Sequence, residues 1–379
     1  MPKLLHITKR YPPYIGGIET VCFDMANALK DRYDQMVLAF NDKDETIDEI
    51  YNGVKVVRAS VFKVVASQPL SKDYGKLLDD AFRNFKPDII HFDYPNPYAA
   101  AFLLKAMKKY KFKGKFLLFW HMDIVKQKLL RSLFIPQTKA LLKMADLVIA
   151  TSPNYLKDTS FLPKYKGRVA ILPLKVGDDR LEFTSSQKEL SNQIKEKYKG
   201  KKIIFFFGRH VKYKGLRYLI ESNKYLNQDE VEILIAGKGK LTNELKELAA
   251  PYKNIEFLGI IKDEEINAYL DACYLFAFPS ITRNEAFGIS LAEALYFGKP
   301  ALTFTIKGSG VNYVNINNET GLEAPNEDVK SYADNINKLL HDEALYKKLS
   351  EGAKERAVTL FSKEHFVKTL DDIFDKLDS

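Results

Sequence analysis

The sequence predicts an α/β protein of two similar halves, each a parallel sheet covered by helices. Three observations carry this. Short apolar runs alternate with longer amphipathic stretches along the chain, the pattern of buried parallel strands joined by helices. The 379 residues exceed one typical core and suit two domains. A connector containing Pro, Gly and polar residues, Leu172-Pro173-Leu174-Lys175-Val176-Gly177-Asp178-Asp179, falls near the middle. The expected domains are therefore residues 1–175 and 176–362, followed by a terminal helix over 363–379.

The first half opens on the apolar run Lys3–Thr8, and further strands are expected at Gln35–Phe40, Val54–Ala59, Ile89–Phe92, Phe116–Trp120, Leu147–Thr151 and Val169–Leu172. Helical spacing falls near Glu19–Lys30, Lys72–Phe85, Pro97–Tyr110, Lys126–Met144 and Pro153–Thr159. Thr184–Lys202 is polar and reads as part of the connection. The second half then starts with the strongly apolar Lys202–Gly208. Strands follow at Val231–Ala236, Ile255–Leu258, Leu275–Phe278 and Pro300–Phe304, with helices at Leu216–Leu226, Thr242–Ala250, Glu264–Ala272, Ile289–Phe297 and Val329–His341. Lys363–Leu377 has the spacing of a last amphipathic helix. Ligands of such folds sit at the C-terminal ends of strands, so a central cleft between the halves is the expected site.

Composition narrows the class. A hydrophobic fraction of 46% is ordinary for a globular protein. No run approaches the ~20 apolar residues of a membrane span. Met1 leads straight into a short strand without the pattern of a signal peptide, so a cytoplasmic protein is expected. The two cysteines, Cys22 and Cys273, lie in apolar surroundings and lack metal-ligand spacing. The net charge of +9 is uneven: residues 1–173 hold 28 basic and 17 acidic side chains. Residues 105–143 alone hold 11 basic residues against one acid, Asp123, and Leu129, Leu130, Leu133, Phe134, Leu141 and Leu142 interleave the second part. A basic stretch with an apolar stripe suits an anionic membrane surface or anionic acceptor, with Lys126, Lys128 and Arg131 as acceptor-side candidates. Nucleic acid is disfavoured, because no recognised nucleic-acid module accompanies the charge.

Five motifs end predicted strands. Gly16-Gly17 follows the first strand, where close backbone approach and a helix N-terminus favour an anion. Trp120-His121-Met122-Asp123 ends another, with His121 placed to meet a ligand and Asp123 to orient it or touch an acceptor. Gly208-Arg209 with Lys214-Gly215 follows the first strand of the second half. Arg209 gives a planar fork and Lys214 a mobile point charge, both suited to a diphosphate. Gly237-Lys238-Gly239, and Gly259 with Ile260, follow the next two strands and suit backbone contacts to a base. Finally, Glu285 and Glu293 flank Phe287-Gly288 at the start of a helix. Ionised carboxylates accept several hydrogen bonds and so suit polyols, while the free N–H groups between them suit a diphosphate.

In this order the motifs resemble the retaining glycosyltransferases of family 4, with the GT-B fold of two Rossmann-like α/β/α domains. The resemblance runs from the Gly-Gly loop to Phe361-Ser362. It implies a nucleotide sugar bound by Gly16, Gly17, Gly237, Ile260, Phe287, Gly288 and Glu293, the last holding ribose hydroxyls. His121 would lie at the donor sugar, Arg209 and Lys214 at the pyrophosphate, and Glu285 at sugar hydroxyls. The terminal helix would cross back to the first domain. The family's frequent Pro-Glu pair is replaced here by Gly308-Ser309-Gly310-Val311-Asn312-Tyr313, which leaves Ser309 as the candidate donor contact of that loop. Asp42-Lys43-Asp44 spells a metal motif of other glycosyltransferases, but it reads as a solvated turn in an acidic loop. No metal or other cofactor is expected, since the pattern sets Arg and Lys against the diphosphate.

The function expected is transfer of a hexose-type sugar from a UDP- or GDP-sugar to a glycan acceptor, lipid-linked, in cell-surface polysaccharide assembly. Peripheral attachment to the inner face of the plasma membrane goes with that reading. A soluble enzyme making a small glycoside or storage glucan is the rival within the fold. A non-catalytic partner subunit would not need intact Arg209, Lys214, Glu285 and Glu293. A nicotinamide oxidoreductase is disfavoured by the missing G-x-G-x-x-G.

Overall fold

The computed structural model describes residues 1–14, 16–65, 67–123, 128–176 and 183–378, the side chains of 128–133 and 378 excepted. The chain forms two compact units. The first comprises Met1–Thr151, Thr159–Leu172 and Val367–Ser379, and the second Ser152–Asp158 and Pro173–Phe366.

The first part of the chain runs β1 (Lys3–Ile7), α1 (Gly17–Ala28), β2 (Asp34–Phe40), β3 (Ile47–Tyr51), β4 (Val54–Ala59), β5 (Lys63–Val65) and β6 (Gln68–Leu70). It continues as α2 (Tyr74–Asp80), β7 (Ile89–Tyr94), α3 (Pro97–Lys109), β8 (Lys115–Trp120), α4 (Lys128–Met144), β9 (Leu147–Ala150), α5 (Pro153–Asp158) and β10 (Val169–Ile171). Eight strands make one sheet in the order β10-β9-β8-β7-β1-β2-β4-β3. Every pairing in it is parallel except β3 on β4. β7 and β8 are buried almost end to end, as a sheet covered on both faces requires. The edge strand β3, of sequence Ile-Asp-Glu-Ile-Tyr, is half exposed, and its acids gave no apolar run to signal it. β5 and β6 form a separate small hairpin.

The second part runs α6 (Ser185–Lys197), β11 (Lys202–Phe207), α7 (Leu216–Ser222), β12 (Val231–Ala236), α8 (Thr242–Ala249), β13 (Ile255–Gly259) and α9 (Asp263–Ala272). Then come β14 (Leu275–Phe278), α10 (Ile289–Tyr296), β15 (Ala301–Phe304), α11 (Val311–Val314), β16 (Gly321–Ala324), α12 (Val329–His341), α13 (Glu343–Leu360) and α14 (Lys363–Asp378). Six parallel strands are ordered β13-β12-β11-β14-β15-β16.

The stretch expected as a polar connection is α6. Thr184 caps it in a capping box with Gln187, and its buried face is only Gln187, Ser191 and Ile194. Two of these three bury polar groups by hydrogen bonding: Gln187 donates to Glu264 O at 2.6 Å and Ser191 to Asp271 at 2.6 Å. α13 escaped notice for a similar reason, since its buried residues are Leu349, Ala353 and Ala357, four apart and two of them small.

α14 begins in the second unit and from Val367 belongs to the first. Arg32 binds Asp371 at 2.8 Å and Asp375 at 2.7 Å, and Phe374 packs on Tyr33 with ring centroids 5.3 Å apart.

Candidate active site

In the second unit the loops after β11, β12, β13 and β14 meet. Beyond β11, Arg209 is exposed and donates to Tyr213 Oη at 2.8 Å. His210 turns inward, its Nδ1 3.0 Å from Thr242 Oγ1, and burial lowers its pKa. Its backbone accepts from Leu241 and donates to Lys238 O, which laces this loop to the one after β12. Gly237 makes that lacing feasible. Its φ is +110°, and a Cβ there would lie 2.0 Å from Gly208 O. Its N–H donates to Gly259 O at 2.5 Å, bringing in the loop after β13. Ile260 on that loop is 64% exposed, free to face a ligand.

Lys214 lies in a short helical turn, Lys212–Lys214, and only about a tenth of its side chain is exposed. Its ammonium is ion-paired with Glu285 Oε2 and sits 4.6 Å from the Phe278 ring centroid. Glu285 also accepts from Ser280 Oγ at 3.3 Å. Three residues on, Gly288 at φ +95° opens α10, a conformation that disfavours other residues. Leu291 and Ala292 N–H both turn to Gly288 O, while the first N–H groups of a helix have no acceptor within it. Phe287 is buried edge-on against Phe361 at 5.3 Å, and Glu293 is buried on the helix. The structure thus gathers Lys214, Glu285, Phe287 and Gly288 around the start of α10.

Ser309, expected as a donor contact, is fully buried. Its hydroxyl donates to Glu285 O at 2.5 Å and accepts from Val311 N–H at 3.2 Å. It braces the Glu285 turn from behind.

In the first unit His121 follows β8 and is 4% exposed. The ring stacks on Phe119 at 4.1 Å, and Nε2 lies 2.6 Å from Asp93 Oδ1. Asp123, expected to orient His121 or to touch an acceptor, does not orient the ring: it accepts from Trp120 Nε1 at 3.2 Å and from Ser160 N–H at 3.1 Å. The orienting carboxylate is Asp93, at the end of β7. Burial alone would raise its pKa, but the charges and hydrogen bonds of His91 and His121 outweigh that and hold it well below the usual carboxylate range. Gly16 and Gly17 stand at the start of α1, and Glu19 in its first turn is within electrostatic reach of both Asp93 and His121. Burial raises the Glu19 pKa. Asp93 and Glu19 were both missed by sequence reasoning. Asp93 had a signal, a carboxylate closing the apolar run Ile89–Tyr94 at the end of a strand. Glu19 had none, since an acid in the first turn of a helix is ordinary.

Lys126 lies outside the described residues, as do the side chains of Lys128 and Arg131. Lys105, Lys108, Lys111, Lys113, Lys139 and Lys143 are exposed, whereas Leu141 and Leu142 of the apolar stripe are buried in the core. Asp42 and Asp44 are exposed in the loop after β2. Among the described residues one group, His6, Cys22 and His91, brings potential metal-ligand atoms within 4.8 Å of one another. The two imidazoles there are already hydrogen-bonded to each other, Nδ1 to Nδ1, at 3.0 Å. No helix of the described residues is long and apolar enough to cross a membrane.

The chain is similar to known proteins along most of its length. Residues 15–174 match the family model described as Glycosyltransferase Family 4, and residues 187–356 match Glycosyl transferases group 1. The O-antigen chain mannosyltransferase C of Escherichia coli is 26% identical over 99% of this chain and 98% of its own length. The D-rhamnosyltransferase WbpZ of Pseudomonas aeruginosa is 30% identical over 85% of this chain and 82% of its own. The solved sucrose-phosphate synthase of Thermosynechococcus elongatus superposes with a TM-score of 0.80 at 19% identity, covering 100% of this chain and 99% of that one, which shows the GT-B fold. The chain therefore belongs to the group 1, family 4 glycosyltransferases.

Proposed function

We propose that this glycosyltransferase moves a hexose-type sugar, with retention, from a UDP- or GDP-sugar to a glycan acceptor in cell-surface polysaccharide assembly. The observation that carries the reading is the Lys214–Glu285 pair beside the start of α10. Departure of a nucleoside diphosphate places negative charge on its phosphates and positive charge on the sugar. Lys214, Arg209 and the N–H groups opening α10 supply fixed positive charge for the first. Glu285 supplies acceptors for sugar hydroxyls, and Glu293 for the ribose. In this reading side-chain and helix charge, rather than a metal, neutralises the diphosphate.

Asp93 and Glu19 belong to the first unit with His121 and Glu285 to the second, where it is already ion-paired with Lys214. A front-face transfer, in which the departing phosphate takes the acceptor's proton, suits this set better than double displacement. The first unit would receive the acceptor and the second the donor. The polysaccharide role is supported by the relatives, one an O-antigen chain mannosyltransferase and one a D-rhamnosyltransferase. A lipid-linked acceptor at the inner face of the plasma membrane is supported by the exposed lysines between 105 and 143. The burial of Leu141 and Leu142 makes that attraction one of charge more than of insertion.

Thermal shift with UDP-, GDP-, ADP- and dTDP-sugars tests the donor reading. One nucleotide should stabilise the wild type and lose most of that effect in Glu293→Ala, and stabilisation by none would overturn it. Flotation with phosphatidylglycerol vesicles tests the membrane reading. Binding should appear at low salt and vanish at high salt, and no binding at low salt would favour the rival, a soluble enzyme making small glycosides.

A further inference from the structure

The first unit holds a buried line of polar side chains that the proposed reaction leaves unused. It starts at Gln35, whose amide donates to Ala26 O at 2.9 Å. A carbonyl only accepts, so the Gln35 Nε2 group faces Ala26 and its Oε1 faces His6. His6 Nε2 lies 2.8 Å from that oxygen and must carry a proton. His6 is fully buried, and burial, with the neighbouring His91 adding to it, pushes its pKa down to about 3. The ring is therefore neutral, and its Nδ1 is a bare acceptor. His91 Nδ1, 3.0 Å away, must donate to it. The register of the sheet sets this contact, because His6 on β1 and His91 on β7 are direct parallel partners.

The other side of His91 then becomes informative. Its Nε2 lies 3.2 Å from Asp93 Oδ1, off the line of a well-aligned hydrogen bond. The Nε2 edge of the His91 ring thus faces the Asp93 carboxylate without a hydrogen bond between them. The same Oδ1 meets His121 Nε2 at 2.6 Å. Oδ1 can only accept, so His121 points its Nε2 proton at Asp93 and keeps its lone pair on Nδ1. Among the described residues nothing bonds that Nδ1. Thr8, on the loop after β1, and Cys22 on α1 close the surroundings, and the Cys22 thiol is pushed far up by burial and by the Asp93 charge.

We infer that Gln35, His6 and His91 form one directed hydrogen-bond chain whose far edge faces Asp93, and that Asp93 is the positioning residue that sets the tautomer of His121. That tautomer leaves His121 Nδ1 as an acceptor, suited to a hydroxyl of the sugar and unsuited to a phosphate oxygen. Only this use of the lone pair rests on the proposed function, since the chain itself is a property of the folded first unit. It also gives the metal-like trio of His6, Cys22 and His91 a different occupation, because the lone pair on His6 Nδ1 that a cation would need receives the His91 proton.

Nitrogen-15 and carbon-13 imidazole NMR of the ligand-free protein at pH 7.5 reads each ring directly. The sequence has six histidines, and single His→Gln variants assign them. The expected spectrum has His91 protonated on Nδ1, His6 and His121 protonated on Nε2 alone, and a scalar coupling across the hydrogen bond from His91 Nδ1 to His6 Nδ1. In Asp93→Asn, with folding checked by circular dichroism, the His121 Nε2–H signal should move. A His91 without a proton on Nδ1, a His121 protonated on Nδ1, or a metal-shifted Nδ1 at His6 would overturn the inference. So would an Asp93→Asn spectrum unchanged at His121. If that variant does not fold, the wild-type spectrum decides alone. None of these readouts needs a donor, so failure of the chain and failure of the glycosyltransferase chemistry are separable.

Discussion

The pair of Lys214 and Glu285 makes a quantitative demand on stability as well as on chemistry. Their side chains are 10% and 14% exposed, so each is held largely out of water by the other. Removing one partner of a buried pair strands the remaining charge and costs about 3–5 kcal/mol. The residual exposure here points to the lower end, about 3 kcal/mol for Lys214→Ala or Glu285→Ala. Removing both strands nothing. The double variant should then lose about 3–4 kcal/mol instead of the roughly 6 kcal/mol that additivity gives, a coupling of about 2–3 kcal/mol. Urea unfolding of the four proteins, followed by far-ultraviolet circular dichroism, measures this cycle. Single effects that add to within about 0.5 kcal/mol would refute the reasoning, because they would mean that neither charge depends on the other.

Other consequences follow from the same geometry. Ser309→Ala leaves Glu285 O without its buried donor and should destabilise by about 1–2 kcal/mol, read by the same urea titration, with Ser309→Thr retaining part of the bond. Gly237→Ala places a Cβ against Gly208 O at a φ of +110° and should cost at least about 2 kcal/mol, whereas Gly53→Ala, in open space, should cost only the price of its positive φ. His6 gives a pH dependence with a definite sign. Its folded-state pKa of about 3 lies below the model-peptide value of 6.5, so the unfolded chain binds the extra proton. Stability from His6 is complete above pH 6.5 and falls by about 1.4 kcal/mol per pH unit below it, or about 2 kcal/mol by pH 5. Calorimetry between pH 7.5 and 5 should show a steeper loss for wild type than for His6→Gln, and equal slopes would contradict the burial of a neutral ring.

Much of the fold was written in apolar runs. Val231–Ala236 is buried throughout and Lys202–Phe207 along its central four residues, so nothing competes with their signal. What stayed hidden had a weak apolar face for a physical reason. α6 buries Gln187 and Ser191 through hydrogen bonds, α13 packs through alanines, and β3 lies at a half-exposed edge. The candidate site was legible where a motif fixes backbone geometry, as at Gly288, or carries charge out of place, as at Lys214 and Glu285. It was not legible where function depends on a partner distant in sequence. Asp93 is 28 residues from His121, and only the pairing of β7 with β8 brings the two together. Ser309 shows the converse, since its loop was found from the sequence while the direction of its hydroxyl was set by packing.

The central claim is that the start of α10, with Lys214 and Glu285, activates a nucleotide sugar. It is tested most directly by nucleoside diphosphate release from a panel of UDP-, GDP-, ADP- and dTDP-sugars, with and without a chelator. The account predicts slow release from one donor, unaffected by the chelator, and a loss on the order of 10²–10³-fold in Lys214→Ala. Release from one donor at an undiminished rate in Lys214→Ala, or release from none by the wild type, would contradict it.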